Sequence, residues 1–248
     1  MAKKRYFSLQ GELFLAELIN GVAGSLYPVG NTPSFQISVT ATVVKHNESS
    51  TGIRAVDDVM TKDMGVKFET ELEEGTAKNL EFLLSSYSKD VAEDTLPKTS
   101  LGTVVAGEMI RLGKYNLSEF VLNDSAATPK VVDPSKYVLD APFGTLIVND
   151  IDGLTMPLTY TAKTGKVTKV GIATDFSKEY LLFFKGKNTA GNKEKMAVTL
   201  WRTMKTPDVD FPMIHEEYGK WKVSGMALPD STQVTDEDLG NFGEFVFI

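Results

Sequence analysis

One stretch limits the possible folds more than any other. Between Ser34 and Val44, Phe35, Ile37, Val39, Ala41 and Val43 alternate with Gln36, Ser38, Thr40, Thr42 and Val44. Strict period two puts the first set on one side of an extended chain and the second set on the other. The stretch is therefore a long, half-buried strand. A second alternation follows at 66–73, where Val66, Phe68, Thr70 and Leu72 face Lys67, Glu69, Glu71 and Glu73. Its solvent side is charged where that of the first is neutral. Strands so related usually form a hairpin, and hairpin loops run about two to five residues. The intervening "KHNESSTGIRAVDD", 45–58, is far longer and strongly polar. A loop of that length is either disordered or has work to do away from its own core.

One helix is well specified. In "GTAKNLEFLLSSYSKD", Leu80, Leu83, Leu84 and Tyr87 fall on one helical face, Phe82 lies off that stripe, and Thr76 is a suitable N-cap. The chain then returns to strand patterns at 102–112, 118–124, 136–141, 144–150, 156–163, 166–174, 179–188, 195–205, 220–228 and 243–248. Gly165 in "AKTGKVTK" suits a tight hairpin turn. No linker, repeat or low-complexity tract marks a boundary. The expectation is one mainly β domain over 1–248 with a single clear helix.

Composition narrows the function classes. With 248 residues the chain is long enough to bury roughly 70–75% of its unfolded surface. It has no cysteine, which removes disulfides, thiolate nucleophiles and cysteine-ligated metals. The opening "MAKKRYFSLQGELFLAEL" is interrupted by Gln10, Glu12 and Glu17, so it does not read as a signal peptide, and no later stretch reads as a membrane-spanning helix. The net charge of −7 argues against tight nucleic-acid binding, which draws its non-specific affinity from neutralising phosphates.

Chemistry-bearing groupings are sparse. The two histidines, His46 and His215, stand far apart and form no zinc motif. There is no nucleophile elbow and no P-loop. "NDIDG", 149–153, begins with calcium-loop spacing, but Thr161 stands where the bidentate Glu belongs, so a turn between strands is the plainer reading. No catalytic residue, metal or cofactor is expected, and an enzyme is not.

The order of the pieces nevertheless resembles a known family, the major tail tube proteins of long-tailed (siphovirus-type) bacteriophages. "GVAGSLYPVGN" at 21–31 is similar to the family's glycine-rich turn ending in Gly-Asn. A long alternating strand follows, then a polar loop with a Ser-x-Gly-like element, here "ESSTGIR", and a strand ending in acids that leads into a helix, here "VKFETELEEGTAKNLEFLL". "YLLFFKGKNTAG" and "MAVTLWRTMKTP" resemble the paired late strands, and "EEYGKWKVSGMALPDS" the closing strand and turn. The stretch at about 113–178 matches least and reads as a family-specific elaboration.

This resemblance implies a β-sandwich or barrel with a flanking helix. Its inner strands would form a continuous barrel in a homohexameric ring, and rings would stack into a hollow virion tail tube through which genome DNA passes into the host. Partners would be further copies of the chain, a tape measure protein, tail tip and terminator proteins, and DNA in transit without tight binding; no membrane is involved. Assembly would take place in the bacterial cytoplasm. Gln36, Ser38, Thr40, Thr42, Glu69, Glu71 and Glu73 would line the lumen, where an acidic or neutral wall within the ~8 Å screening length lets phosphates slide past. Lys45, His46, Asn47, Glu48, Ser49, Ser50, Thr51, Gly52, Arg54, Asp57 and Asp58 would contact the next ring, with salt bridges between subunits. Long strand edges, otherwise an aggregation hazard, would be paired by ring closure. Two other readings stand beside it: the tube protein of a contractile injection system, which shares the architecture and against which the length and the 113–178 stretch favour a phage, and a β-sandwich binding module. The second lacks an aromatic residue in 45–58 to serve as a platform.

Overall fold

The computed structural model describes residues 6–50, 52–190, 193–233 and 240–248. The chain divides into two compact units, one built from 1–87 and 170–248, the other from 88–169. The sequence reading has one domain with an elaboration at about 113–178. In space the separate stretch begins earlier, at Ser88, and ends at Lys169.

The first unit opens with β1 (Leu9–Ile19), β2 (Val22–Ala23), β3 (Tyr27–Pro28), β4 (Ser34–Asn47), β5 (Val56–Leu72) and α1 (Ala77–Leu83). The second contains β6 (Ser88–Val91), β7 (Asp94–Gly102), β8 (Met109–Arg111), β9 (Leu117–Asn123), β10 (Tyr137–Asp140), β11 (Thr145–Val148), β12 (Leu158–Thr164) and β13 (Val167–Val170). The chain returns to the first unit through β14 (Glu179–Asn188), β15 (Lys195–Lys205), β16 (Trp221–Ala227) and β17 (Gly243–Phe247). The protein is mainly β, with antiparallel pairing and one α-helix among the described residues.

In the first unit the strands lie in the order β2-β1-β14-β15-β16-β5-β4, with β17 added to β15 and β3 to β1. Alternation sends Leu13 and Leu15 of β1, Phe68 and Leu72 of β5, Leu182 of β14 and Val223 of β16 into one core. Phe184 bridges distant strands, its ring 5.8 Å from that of Phe35 on β4. It lies over Gly11 and Gly186, where an added Cβ would stand 2.8 and 2.5 Å from the ring.

Helix α1 covers this core. Thr76 caps it as expected, its hydroxyl accepting from the Asn79 amide at 3.2 Å. At the other end the Leu83 carbonyl accepts from the buried Lys205 ammonium at 2.9 Å, and burial pushes that lysine's pKa down. The expected apolar stripe needs correcting at two positions. Phe82 is buried and stands edge-on to Tyr180 with centroids 4.8 Å apart, whereas Tyr87 is 53% exposed. The helix ends at Leu83 and Ser85 turns to φ +49°, so Tyr87 never joins its face. Tyr87 instead lies over the Lys178 ammonium, 3.5 Å from its ring centroid, and donates to Asp175 at 2.7 Å.

The second unit has its own core, in which Leu146 and Val148 of β11 join Leu96 of β7, Leu122 of β9 and Leu158 and Tyr160 of β12. Two three-stranded sheets, β10-β11-β8 and β7-β12-β9, supply it. The hairpin expected at Gly165 does not form, because β12 pairs with β7 and β9 while β13 pairs with β6. Glycine serves close approach there: a Cβ would sit 2.8 Å from Asn116, whose carbonyl accepts from the Gly165 amide.

Candidate functional site

The β4–β5 hairpin is the feature that the rest of the first unit does not explain. The strands run 14 and 17 residues, and their pairing continues from Ser34↔Glu71 out to Asn47↔Val56. The long loop expected at 45–58 is therefore shorter, with only 48–55 connecting the strands. Lys45, His46 and Asn47 belong to β4, and Asp57 and Asp58 to β5. The missed strand segment was hidden by two irregularities in register, between Thr42 and Val43 and between His46 and Asn47, opposite Lys62 and Asp57. Each extra residue breaks the period-two count. Val56, Val59, Thr61, Met64 and Val66 share one face although their spacing in sequence is irregular.

Pairing sorts the hairpin into two faces. One carries Phe35/Thr70, Ile37/Phe68, Val39/Val66, Ala41/Met64, Val43/Thr61 and Lys45/Val59. Its inner members join the core, but Val39 is 79% and Met64 74% exposed. The other face carries Ser34/Glu71, Gln36/Glu69, Ser38/Lys67, Thr40/Gly65, Thr42/Asp63, Val44/Met60 and His46/Asp58. Gln36, Ser38, Thr40, Thr42, Glu69 and Glu71 thus share one face, and Glu73 follows just beyond β5 at the same parity.

That face is less acidic than β5 alone indicates. Strand β16 lies beside β5 with Lys222 opposite Glu71 and Ser224 opposite Glu69. Lys222 Nζ lies 2.6 Å from Glu69 Oε1, and Lys220 Nζ lies 3.4 Å from Glu73 Oε1. With Lys67, three ammonium groups stand among Glu69, Glu71 and Glu73, and Asp63 and Asp58 add two further carboxylates toward the tip of the same face. Glu73 also accepts from the Asn31 amide side chain, and its backbone N–H donates to the Asn31 carbonyl at 3.2 Å. The Gly-Asn turn, with Gly30 at φ +82°, thereby holds the end of the acidic strand. Lys220 and Lys222 were missed because the sequence does not say which strand neighbours β5. The parity of Lys220, Lys222 and Ser224 in "KWKVSG" was the only available signal.

At the ribbon tip the charged groups mostly use partners of their own chain. His46 Nδ1 lies 2.6 Å from Asp57 Oδ1, and Glu48 accepts from the Ser50 amide at 3.0 Å and its hydroxyl at 2.7 Å. The Glu48 amide donates to the Ala55 carbonyl at 2.9 Å, and Gly52 and Arg54 take positive φ to close the turn. Ser49 is exposed beside them, while Thr51 lies outside the described residues. Lys45 and Arg54 carry no ion pair among the described residues.

Elsewhere the "NDIDG" turn already holds a cation of its own. Lys136 Nζ lies 2.8 Å from Asp150 Oδ2 and 2.7 Å from the Asp152 carbonyl, which lowers the Asp150 pKa. His215 stands edge-on to Trp221, with centroids 6.4 Å apart. Among the described residues no cluster of three or more His, Asp or Glu side chains is arranged to hold a metal ion, and no helix is long and apolar enough to cross a membrane.

No curated protein matches the chain. A family model described as "Protein of unknown function UCP028589" matches residues 6–246, and the chain belongs to that family.

Proposed function

We propose that this chain is a structural tail tube protein whose copies close into hexameric rings that stack into a hollow, DNA-conducting tube. The observation that carries the reading is the β4–β5 ribbon. From Thr40 on β4, and from Val56 to Met64 on β5, every residue is exposed, yet the two-face patterning persists. The outer edge of β4 pairs with nothing among the described residues, and β5 pairs with β16 only over Val66–Leu72. A ribbon with two open edges and an uncovered apolar face is hazardous on a monomer and useful in a ring, where neighbouring copies cover both.

The polar face supports the lumen role in modified form. Gln36, Ser38, Thr40 and Thr42 are neutral, and the Glu69, Glu71 and Glu73 carboxylates stand among ammonium groups. Lys220 and Lys222 are held by Glu73 and Glu69, which leaves Lys67 as the one lysine of this face without an ion pair among the described residues. Such a wall neither grips DNA strongly nor repels it strongly. Negative-stain microscopy of concentrated protein tests the reading: tubes of uniform diameter with sixfold cross-sections are expected. Val59→Lys/Met64→Lys should keep the wild-type melting temperature and form no tubes. Wild-type protein that stays monomeric at every concentration overturns the proposal.

A further inference from the structure

Two features of the first unit lie outside the ribbon. One is the connection 206–220 from β15 to β16, which contains no strand or helix. It is held at its base: Val209 and Phe211 pack on the core, and the Phe211 ring stacks on Trp221 at 5.2 Å and 3°. His215 takes the edge of the same indole, and Gly219 makes room for it, since a Cβ there would stand 2.9 Å from the imidazole. So anchored, the loop holds Met213, Ile214 and Tyr218 in solvent at 79%, 93% and 94% exposure. Asp208, Asp210, Glu216 and Glu217 surround them, none in an ion pair among the described residues.

The other is a groove of about 720 Å³ over β1, β14 and β15. Phe14 and Phe183, with centroids 6.2 Å apart, line it together with Leu26. Its charged side chains are Lys185, Lys187 and Lys195 against Glu12, and Ile248 lines it beside Lys195. Lys187 and Lys195 are directly opposite in register, a like-charge pairing that folding alone disfavours, and none of the three lysines has an ion pair among the described residues.

The loop is acidic with an apolar tip, and the groove is apolar with a basic rim. They occupy opposite ends of β15, since Lys195 opens the strand and Lys205 closes it ten residue steps later, roughly 33 Å away. Trp221, the loop's anchor, lies farther out still, because β16 meets Lys205 at Gly225 and runs four residues beyond it. The loop cannot reach the groove of its own chain.

We propose that the 206–220 loop of one copy docks head to tail in the lysine-rimmed groove of a second copy. Ile214 and Met213 pack onto the apolar floor formed by Phe14, Phe183 and Leu26, and Asp210, Glu216 and Glu217 meet the lysines. Such a contact is heterologous and passes from copy to copy without limit until rotation closes it. In the sheet β5 runs parallel to β15, so the ribbon tip lies at the groove end and the loop at the other. The inference rests on the tube reading in taking a second copy as the occupant.

The test uses two charge-reversed full-length proteins, Lys185→Glu/Lys187→Glu/Lys195→Glu and Asp210→Lys/Glu216→Lys/Glu217→Lys, studied by sedimentation and microscopy. Each alone should need at least tenfold more protein to assemble than wild type. An equimolar mixture should recover assembly, because each loop then meets a groove of opposite sign, and that recovery also shows that both variants are folded. Normal assembly of either variant alone, or no recovery in the mixture, overturns the loop contact while wild-type tubes keep the tube reading intact. A wild type that never assembles overturns both. As a check on geometry, Leu26→Cys/Ile214→Cys in this cysteine-free chain should form disulfides between copies within assembled tubes. Their absence there counts equally against the contact.

Discussion

The inner and outer halves of the β4–β5 hairpin share one pairing pattern and have opposite surroundings. In the inner half Phe35 and Ile37 pack against the core, and Phe68, Thr70 and Leu72 across from them are buried. In the outer half every side chain is in solvent, although Val39, Ala41, Val43, Val59 and Met64 continue the same apolar face. Alternation thus states which residues share a face and is silent about what lies opposite it. A two-stranded ribbon with no third layer is marginal in water. The outer half is therefore patterned for burial that its own chain does not provide.

Truncation should separate the halves most strongly. Phe68 is 1% exposed, and Gly225 keeps room for its ring, since a Cβ there would stand 2.4 Å from it. Phe68→Ala should destabilise the monomer by about 3–5 kcal/mol in denaturant unfolding. Met64→Ala, two pairs farther out on the same face, should stay within about 0.5 kcal/mol of wild type. Comparable losses at the two positions would mean that the outer face is already covered in the monomer, and the comparison would collapse.

Hydrogen exchange should show the same boundary without mutation. Amides of β5 over 66–72 have pairing strands on both sides and a helix-covered core beneath them. Amides over 56–64 have one pairing strand and no cover among the described residues. In the free subunit the outer amides should exchange faster by roughly a hundredfold or more, because local opening suffices to release them. In assembled tubes that gap should narrow sharply. A gap unchanged by assembly would leave the ribbon without a partner.

Much of this was legible in the residues. Apolar alternation located β4, β14 and β15 closely, because each keeps a two-residue period over most of its length, and Thr76 was readable as a cap because its hydroxyl acts within one turn. The ribbon's length was not. Extra residues at Asp57 and Lys62 shift the parity of β5, so Val56 read as part of the polar loop at 45–58, and Val59 and Met64 were not joined to the strand read at 66–73. The helix stripe failed at Tyr87 because Ser85 ended the helix one turn early. Parity grouped Gln36, Ser38, Thr40 and Thr42 within one strand and Glu69, Glu71 and Glu73 within the next, and the register of the pair places both groups on one face. Their charge balance was out of reach, since Lys220 and Lys222 arrive from a strand about 150 residues away whose register depends on the whole sheet.

The smallest expected effect concerns that balance. Lys222 and Glu69 sit on adjacent strands of the polar face, and the carboxylate at 2.6 Å raises the lysine's pKa above its ordinary 10.5. The pair's contribution is therefore fully present below the unfolded lysine value and is lost as pH rises through the higher folded one. A titration of the Lys222 side chain followed by NMR should have its midpoint above 10.5, and Glu69→Gln should bring it back down. Both groups are exposed, so the shift should shrink as salt is raised and global stability should hardly move. The consequence for function runs the other way. Removing Lys222 leaves Glu69 and Glu71 unbalanced on the inner half of the hairpin. In a sixfold ring that one change would be repeated at every subunit, making the wall more acidic without touching the outer ribbon. Lys222→Gln tubes should thus assemble normally and retain less bound polyanion at low salt than wild type. Equal retention by the two would mean that this face does not line the channel.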